Sequence, residues 1–447
     1  MFAKIKLKLR PKLKSKFKTL PKLRLFSAAL AVLLVSAGCN SGGSSAKTVT
    51  LNVWGVFETS DNMAPFIQAY QQAHPNVRIS YTEKNVATYE QDLINALASG
   101  NGPDVYEIHN DWLPSYQDKL VAAPSSIIAL KDYQTAFLDV VKNDFVTSDG
   151  KIFAMPLTVD SLGLYYNKDI LGAAGIATPP KTWNDLQADV KAVTKLNHAG
   201  TFTQSGVAMG TTSNIGSATD IMYELLLQNS PAYYTSDFSR STLDQATQTS
   251  GGQVFPAVKA LNFYTSFSNP ASDVYTWNQN SNYSIDAFAN GQLAFLYGYS
   301  FTRDTILQKA PNLNFDVTAV PQPDGNIIPV NFANYWGFGV SKQSQNPNYG
   351  WDFIKSMATK SSLTSYYQRH NLPSSRRDII ASQISDPVIG TFALADLTAK
   401  SFYKKDADKI DAIISKMIDD VILRGATTAA SVSTAAQAID LVSAPSS

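Results

Sequence analysis

From residue 48 onward the hydrophobic pattern keeps changing period, and this restricts the chain to an α/β architecture. Residues 48–53 (TVTLNV) alternate and are β-branched, 65–74 (PFIQAYQQAH) have helical spacing, and 76–81 (NVRISY) return to a strand. Residues 89–99 (YEQDLINALAS) are again helical; a Gly100-Asn101-Gly102-Pro103 break then precedes a short apolar strand at 104–108. Strands alternating with helices of about ten residues indicate βαβ units around a mainly parallel sheet. In such sheets ligands bind beyond the carboxyl ends of the strands.

A second series begins after Asp160. Residues 163–167 are strand-like, 182–194 and 220–227 helical, and 229–252, rich in Ser, Thr, Gln and Tyr, read as an irregular surface insertion. A helix over 253–267, a short one over 285–290, strands at 292–297, 315–320 and 334–341, and an amphipathic helix at 349–358 follow. Helices dominate from 396, ending in a Ser/Ala-rich tail that reads as frayed. Thr182, with Asp185 three residues on, has the form of a capping box for the helix opened by Trp183.

The N-terminus has a different character. Ten basic residues and no acidic one lie between Lys4 and Arg24, followed by the apolar run 25–35 and then Ser36-Ala37-Gly38-Cys39. This is the layout of a secretory signal, and its apolar run is too short for the roughly 20 residues that span a bilayer. The junction resembles the lipobox of bacterial lipoproteins, with Ser36 in place of the commoner aliphatic residue, and implies lipidation at Cys39, the only cysteine. A lone thiol in an exported chain has no disulfide partner. Residues 40–45 (NSGGSS) read as a flexible tether.

Without the leader, 27 basic residues face all 36 acidic ones, so the exported body carries a formal charge of −9. Such a body is a poor partner for nucleic acid, whose phosphates need a basic face. About 400 residues exceed one ordinary core, so two lobes are expected. The 49 aromatic residues against four histidines suit stacking and hydrogen bonding better than imidazole or metal chemistry.

The most specific string runs from 152 to 171 (IFAMPLTVDSLGLYYNKDIL), continued by Ala174-Gly175-Ile176 and Pro179-Pro180-Lys181-Thr182-Trp183. Supporting pieces are 51–55 (LNVWG), Ala98-Ser99-Gly100 with Pro103-Asp104-Val105, and 288–295 (FANGQLAF). Together they resemble the extracellular solute-binding proteins of ABC importers, the family that includes maltose-type and glycerol-phosphate-type sugar-binding lipoproteins. The resemblance implies a two-lobed periplasmic-binding-protein fold of type II kind, each lobe a mainly parallel sheet flanked by helices, with a ligand cleft at the hinge. Its expected division is a signal peptide at 1–38, a tether at 39–46, one lobe from 47–158 with 322–371, and the other from 159–321 with 372–447. Crossing strands are expected near 158–161, 320–322 and Leu372.

A sugar offers hydroxyls around a C–H-lined ring, so its site needs carboxylates or amides together with aromatic faces. The resemblance puts an acidic contact at Asp111, flanked by Asn110 and Trp112, and another at Asp160, whose other reading is a hinge hydrogen bond. Glu58, in the loop after the first strand, is a further candidate. Tyr299, Phe301 and Trp336 are candidate stacking platforms, while Trp54 and Trp183 read as core and no motif places Trp277. The Tyr165-Tyr166, Tyr233-Tyr234 and Tyr366-Tyr367 pairs raise a ferric-iron reading, but the first alternates across a strand and its rings face opposite ways.

The function expected is a lipid-anchored, monomeric, non-enzymatic carbohydrate receptor on the outer face of the membrane. It would need no cofactor or metal, and would hand its solute to permease subunits. A glycerol-phosphate ligand stays open, with Arg303 and Arg376 as basic candidates. A carbohydrate-active hydrolase also stays open through paired carboxylates near aromatics, although no G-x-S-x-G, H-E-x-x-H, P-loop or zinc-spaced Cys/His set occurs. Of His74, His109, His198 and His370, only His109 falls in a candidate site loop.

Overall fold

The computed structural model describes residues 47–443 apart from Pro231, Ser250, Asn326 and Ile327; Cys39, the leader and the tether lie outside the described residues. Two separate hydrophobic cores organise the chain. The first gathers Leu51, Val53, Tyr89, Leu93, Ile108, Phe145 and Val159 with Ala333, Phe338, Trp351 and Ile380. The second gathers Leu162, Tyr165, Leu186, Tyr223, Phe295 and Phe332 with Phe392, Ile410, Ile414 and Ile439. Because each core closes on itself, the lobes can shift against one another without exposing either.

In the first lobe the strand Val49–Gly55 pairs in parallel with Val77–Glu83 on one side and Val105–His109 on the other. Its alternation is the one expected, with Leu51 and Val53 buried while Asn52 is exposed. The helix Ser60–Ala73, capped by Thr59, buries Met63, Phe66 and Tyr70. The helix Val86–Ala98, capped by Asn85, buries Tyr89, Leu93 and Leu97 at i, i+4 and i+8. The sheet then departs from the mainly parallel expectation, since Trp336–Ser341 lies antiparallel to Val105–His109. The reason is topological: this strand re-enters from the other lobe and so approaches from the opposite end.

The second sheet, in the order Phe315–Ala319, Gly163–Asn167, Leu293–Gly298, Phe202–Val207 and Lys195–Leu196, corrects the same expectation more strongly. Only the pairing of Leu293–Gly298 with Phe202–Val207 is parallel. Gly163–Asn167 leads out of the hinge and meets both Leu293–Gly298 and Phe315–Ala319 head to tail. Trp183–Val193 opens with the full capping box: Asp185 N–H donates to Thr182 Oγ1 (3.1 Å) and Thr182 N–H to Asp185 Oδ2 (2.9 Å).

Two stretches are better ordered than their composition suggests. Within 229–252 the buried Tyr233, Tyr234 and Leu243 join the second core, and Thr247–Thr249 forms a hairpin with Gly252–Val254. The Ser/Ala-rich end is a helix, Thr428–Ser443, whose small side chains allow close packing on Ala407–Arg424 across a left-handed Gly425 (φ 68°).

A third, three-stranded sheet joins the lobes: Asn331–Asn334 pairs antiparallel with Asp160–Ser161 and parallel with Ala399–Lys400. Each strand lies where the chain passes between cores, as Val159 and Ala333 pack in the first, and Leu162 and Phe332 in the second. Val320 packs in the second core, while Leu372 packs against the first together with Ile379 and Ile380.

Candidate functional site

The strands of the first lobe end in loops that carry most of the polar and aromatic side chains singled out above. Beyond Val105–His109 the chain turns through Asn110 and Asp111 into the short helix Leu113–Tyr116. Trp112 stacks on Tyr116 (centroids 4.9 Å, 16° apart) and meets Trp336 edge-on at 5.0 Å. Trp336, at the start of its strand, also touches His109 (5.1 Å) and Phe57 (5.8 Å), whose ring is 58% exposed. These contacts hold Trp336 upright at the rim, with part of its surface open.

His109, Asp111, Trp112 and Trp336 line one wall of a cavity of about 720 Å³, one face of the helix Val86–Ala98 lines a second through Val86, Glu90 and Ile94, and the start of the helix Ala407–Arg424 lines the third. The volume is in the range of small-molecule sites. Glu90, Asp406, Asp408 and Asp411 supply acceptors there, and Lys409 a cation paired with Asp406 at 2.7 Å. Burial pushes Glu90 up; the Tyr116 hydroxyl opposes this and Asp408 adds to it.

Asp111 is fully engaged. One oxygen meets His109 Nδ1 at 2.6 Å and the other Lys404 Nζ at 2.9 Å. Burial works against its charge, yet His109 and Lys404 together hold the carboxyl well below the usual range. The same ion pair, opposing burial, raises His109 above its ordinary value. The other ring nitrogen of His109 lies 3.0 Å from Asn334 Oδ1, which ties this wall to the hinge sheet.

Asp160 sits in that hinge sheet, 8% exposed. Ser300 donates to Asp160 Oδ2 through N–H (3.0 Å) and Oγ (2.7 Å), and Ser161 N–H donates to Oδ1 (3.0 Å). Burial pushes Asp160 up to about 7, against the pull of these donors. Tyr299, next to Ser300 in the chain, is buried, donates to Asp220 at 2.8 Å and lies parallel to Phe301 (5.7 Å, 20°). Phe301 is 58% exposed and open to stacking.

Glu58 stands apart, buried, accepting from the Tyr366 hydroxyl through one oxygen while the other has no partner. Nearby Glu107 accepts from Val56 N–H at 2.7 Å, and burial takes it up to about 8. The structure thus brings Asp111, Trp112 and Trp336 together, joins Asp160, Tyr299 and Phe301 through Ser300, and leaves Glu58 outside both groups.

Trp183 and Trp277 are buried, the indole N–H of Trp277 donating to Asn214 at 3.1 Å; Trp54 is half-buried under Lys84. Tyr165 is buried and Tyr166 half-buried on the opposite face, while Tyr233 and Tyr234 are core. Among the described residues no three His, Cys, Asp or Glu side chains are grouped to hold a metal ion. Arg376 pairs with Asp378 (2.9 Å) and Arg303 lies over Phe315; neither lines the cavity. Sequence reasoning missed Asn334 as a link to His109, and Lys404, Asp411 and Tyr223 altogether. The one signal for Lys404 is its place in 402–406 (FYKKD), which reads as a solvated charge run.

Two lobes on separate cores, a hinge sheet and an aromatic-rimmed cavity where the lobes meet define a two-lobed binding protein. The chain belongs to the bacterial extracellular solute-binding protein family, whose model matches residues 66–431. It is 23% identical over 375 residues to the galactooligosaccharide-binding protein of Bacillus subtilis, covering 82% of this chain and 83% of that one. In fold it is similar to an ABC transporter solute-binding protein from Thermotoga lettingae solved with α-D-tagatose (19% identity, TM-score 0.69, 89% of this chain and 100% of that one). It is also similar in fold to a cyclo/maltodextrin-binding protein solved with maltotetraose (16% identity, TM-score 0.72, 89% of this chain and 98% of that one).

Proposed function

We propose that this chain is the receptor of an ABC importer: it takes up a carbohydrate between its lobes, closes on it and presents it to a membrane permease without chemical change. The observation that carries this reading is the cavity of about 720 Å³ between the Trp112–Trp336 wall and the acidic start of Ala407–Arg424. Aromatic faces and acceptors in that arrangement suit a ring of C–H bonds edged with hydroxyls. The sugars named for the relatives support the same class of ligand. An acidic wall repels phosphate, which weighs against the glycerol-phosphate alternative.

Trp336 and Phe301 are the proposed stacking faces, with Trp112 and Tyr299 packed behind them. Asp111 acts through His109 and Lys404, Asp160 through the hinge, and Glu58 through the packing of its loop. Lobe closure is favoured only by contacts a solute makes with both sides. Lipidation at Cys39 and a monomeric state complete the proposal: the lipid would hold a single hinged body beside its permease.

Titration calorimetry of the mature protein against mono- and oligosaccharides, polyols and glycerol phosphates tests the ligand class. Saturable binding of a sugar with no turnover is expected. Silence across all sugars would overturn the carbohydrate reading, and hydrolysis of a glycoside would overturn the receptor reading. Intact-mass analysis of the membrane form tests the anchor, since an N-terminus other than a diacylated Cys39 removes it.

A further inference from the structure

We infer that Lys404 is a positioning residue that ties the two lobes across the floor of the cleft and sets how far the protein is closed before any solute arrives. Its ammonium, on a side chain only 3% exposed, lies 2.9 Å from Asp111 Oδ2 and 2.8 Å from Asp411 Oδ1. These carboxylates belong to different lobes. Asp111 follows a strand whose Ile108 packs in the first core, whereas Asp411 is on the helix whose Ile410 and Ile414 pack in the second. Tyr223, also of the second core, donates to Asp411 at 2.5 Å, and the Lys404 ammonium lies over its ring at 4.5 Å.

The arrangement has the properties of a tie that can be made and broken. A buried ammonium needs countercharge, and closed lobes supply two carboxylates to one cation. When the lobes part, neither carboxylate is stranded: Asp111 keeps His109, and Asp411 keeps Tyr223 with Lys404 itself. Two further contacts cross the same seam, the Ser115 hydroxyl donating to Lys405 O and Asn110 Nδ2 to Ser401 Oγ at 2.8 Å, while Phe402 between them packs in the second core. The cation thus stays with the second lobe, through Asp411 and the Tyr223 ring, and reaches across the gap to Asp111. A tie of this kind raises the closed fraction of the empty protein, and apparent affinity scales with that fraction.

The inference rests on the two-lobed closing reading and not on which solute is bound, so its test uses no solute. Small-angle scattering of the mature wild-type, Lys404→Met and Lys404→Arg proteins gives the radius of gyration of each empty form. Lys404→Met should be more extended than wild type, and Lys404→Arg should stay near it. With Lys404's charge removed, the His109 ring should also titrate higher by NMR. A Lys404→Met protein that keeps wild-type circular dichroism and the same radius would overturn the inference, as would an empty wild type already as extended as that variant. If Lys404→Met does not fold, Asp111→Asn breaks the same tie from the other side and is read in the same way. Loss of the carbohydrate reading would show in calorimetry alone and leave the scattering result unchanged.

Discussion

The division of labour in the cleft is set by which side chains still have an open face. Trp336 is gripped edge-on by Trp112, His109 and Phe57 and keeps surface at the rim, so Trp336→Ala should weaken solute binding roughly tenfold by calorimetry while leaving the fold intact. Unchanged affinity would move the stacking face elsewhere, to Phe301 first. Buried acids set a second residue-scale property. Asp144 accepts from Tyr335 (2.5 Å), Ser401 (2.6 Å) and Asn110 (3.3 Å), and burial takes it up to about 7 despite these donors. Its folded pKa thus lies above the unfolded one, and the folded form holds the proton longer. Stability from this group is full below about pH 4 and is lost as pH rises through about 7. Melting midpoints taken from pH 5 to 8 should therefore fall, and Asp144→Asn should flatten part of that slope. A slope identical in the variant would assign the effect to Asp160, Glu107 or Glu224, which burial raises as well.

Elements were legible in the sequence where their signals were local. The capping box at Thr182 and Asp185 needs only residues three apart, and the structure forms both of its hydrogen bonds. Thr182→Ala should cost about 1 kcal/mol of stability in a denaturant titration with little effect on solute affinity, since Thr182 does not line the cavity. Strand direction was less legible. The run 334–341 reads as a strand from composition, but its antiparallel pairing with Val105–His109 depends on a return from the other lobe that no local pattern records. The stretch 229–252 is mostly exposed and irregular, as its composition reads; what that composition hides is the pair of tyrosines that join the second core. In the cleft, Asp111, Trp112 and Trp336 stood out through loop position. Lys404 did not, because a buried lysine and a solvated one are written with the same letter, and its partners come from distant parts of the chain.

On the scale of the whole molecule, three passages between the lobes are stitched into one small sheet, and the lobe closure proposed above must pivot there. The strands Asp160–Ser161, Asn331–Asn334 and Ala399–Lys400 are bonded to each other, and buried carboxylates brace the passages: Asp160 on Ser300, Glu224 on the Phe332 N–H (2.5 Å) and Asp144 on Ser401. Such a joint bends by changing the twist of a hydrogen-bonded ribbon, without melting a linker. The place of largest angular change should therefore be among the slowest to exchange. In a deuterium-exchange time course the amides of Ser161 and Ala333 should be protected for longer than those of the hairpin Thr247–Thr249, with or without solute, and rapid labelling of the stitched strands would show that opening proceeds by local unfolding. Slow exchange there would make mobility and softness separate properties of this protein, the part that turns the lobes being one of the last to let water in.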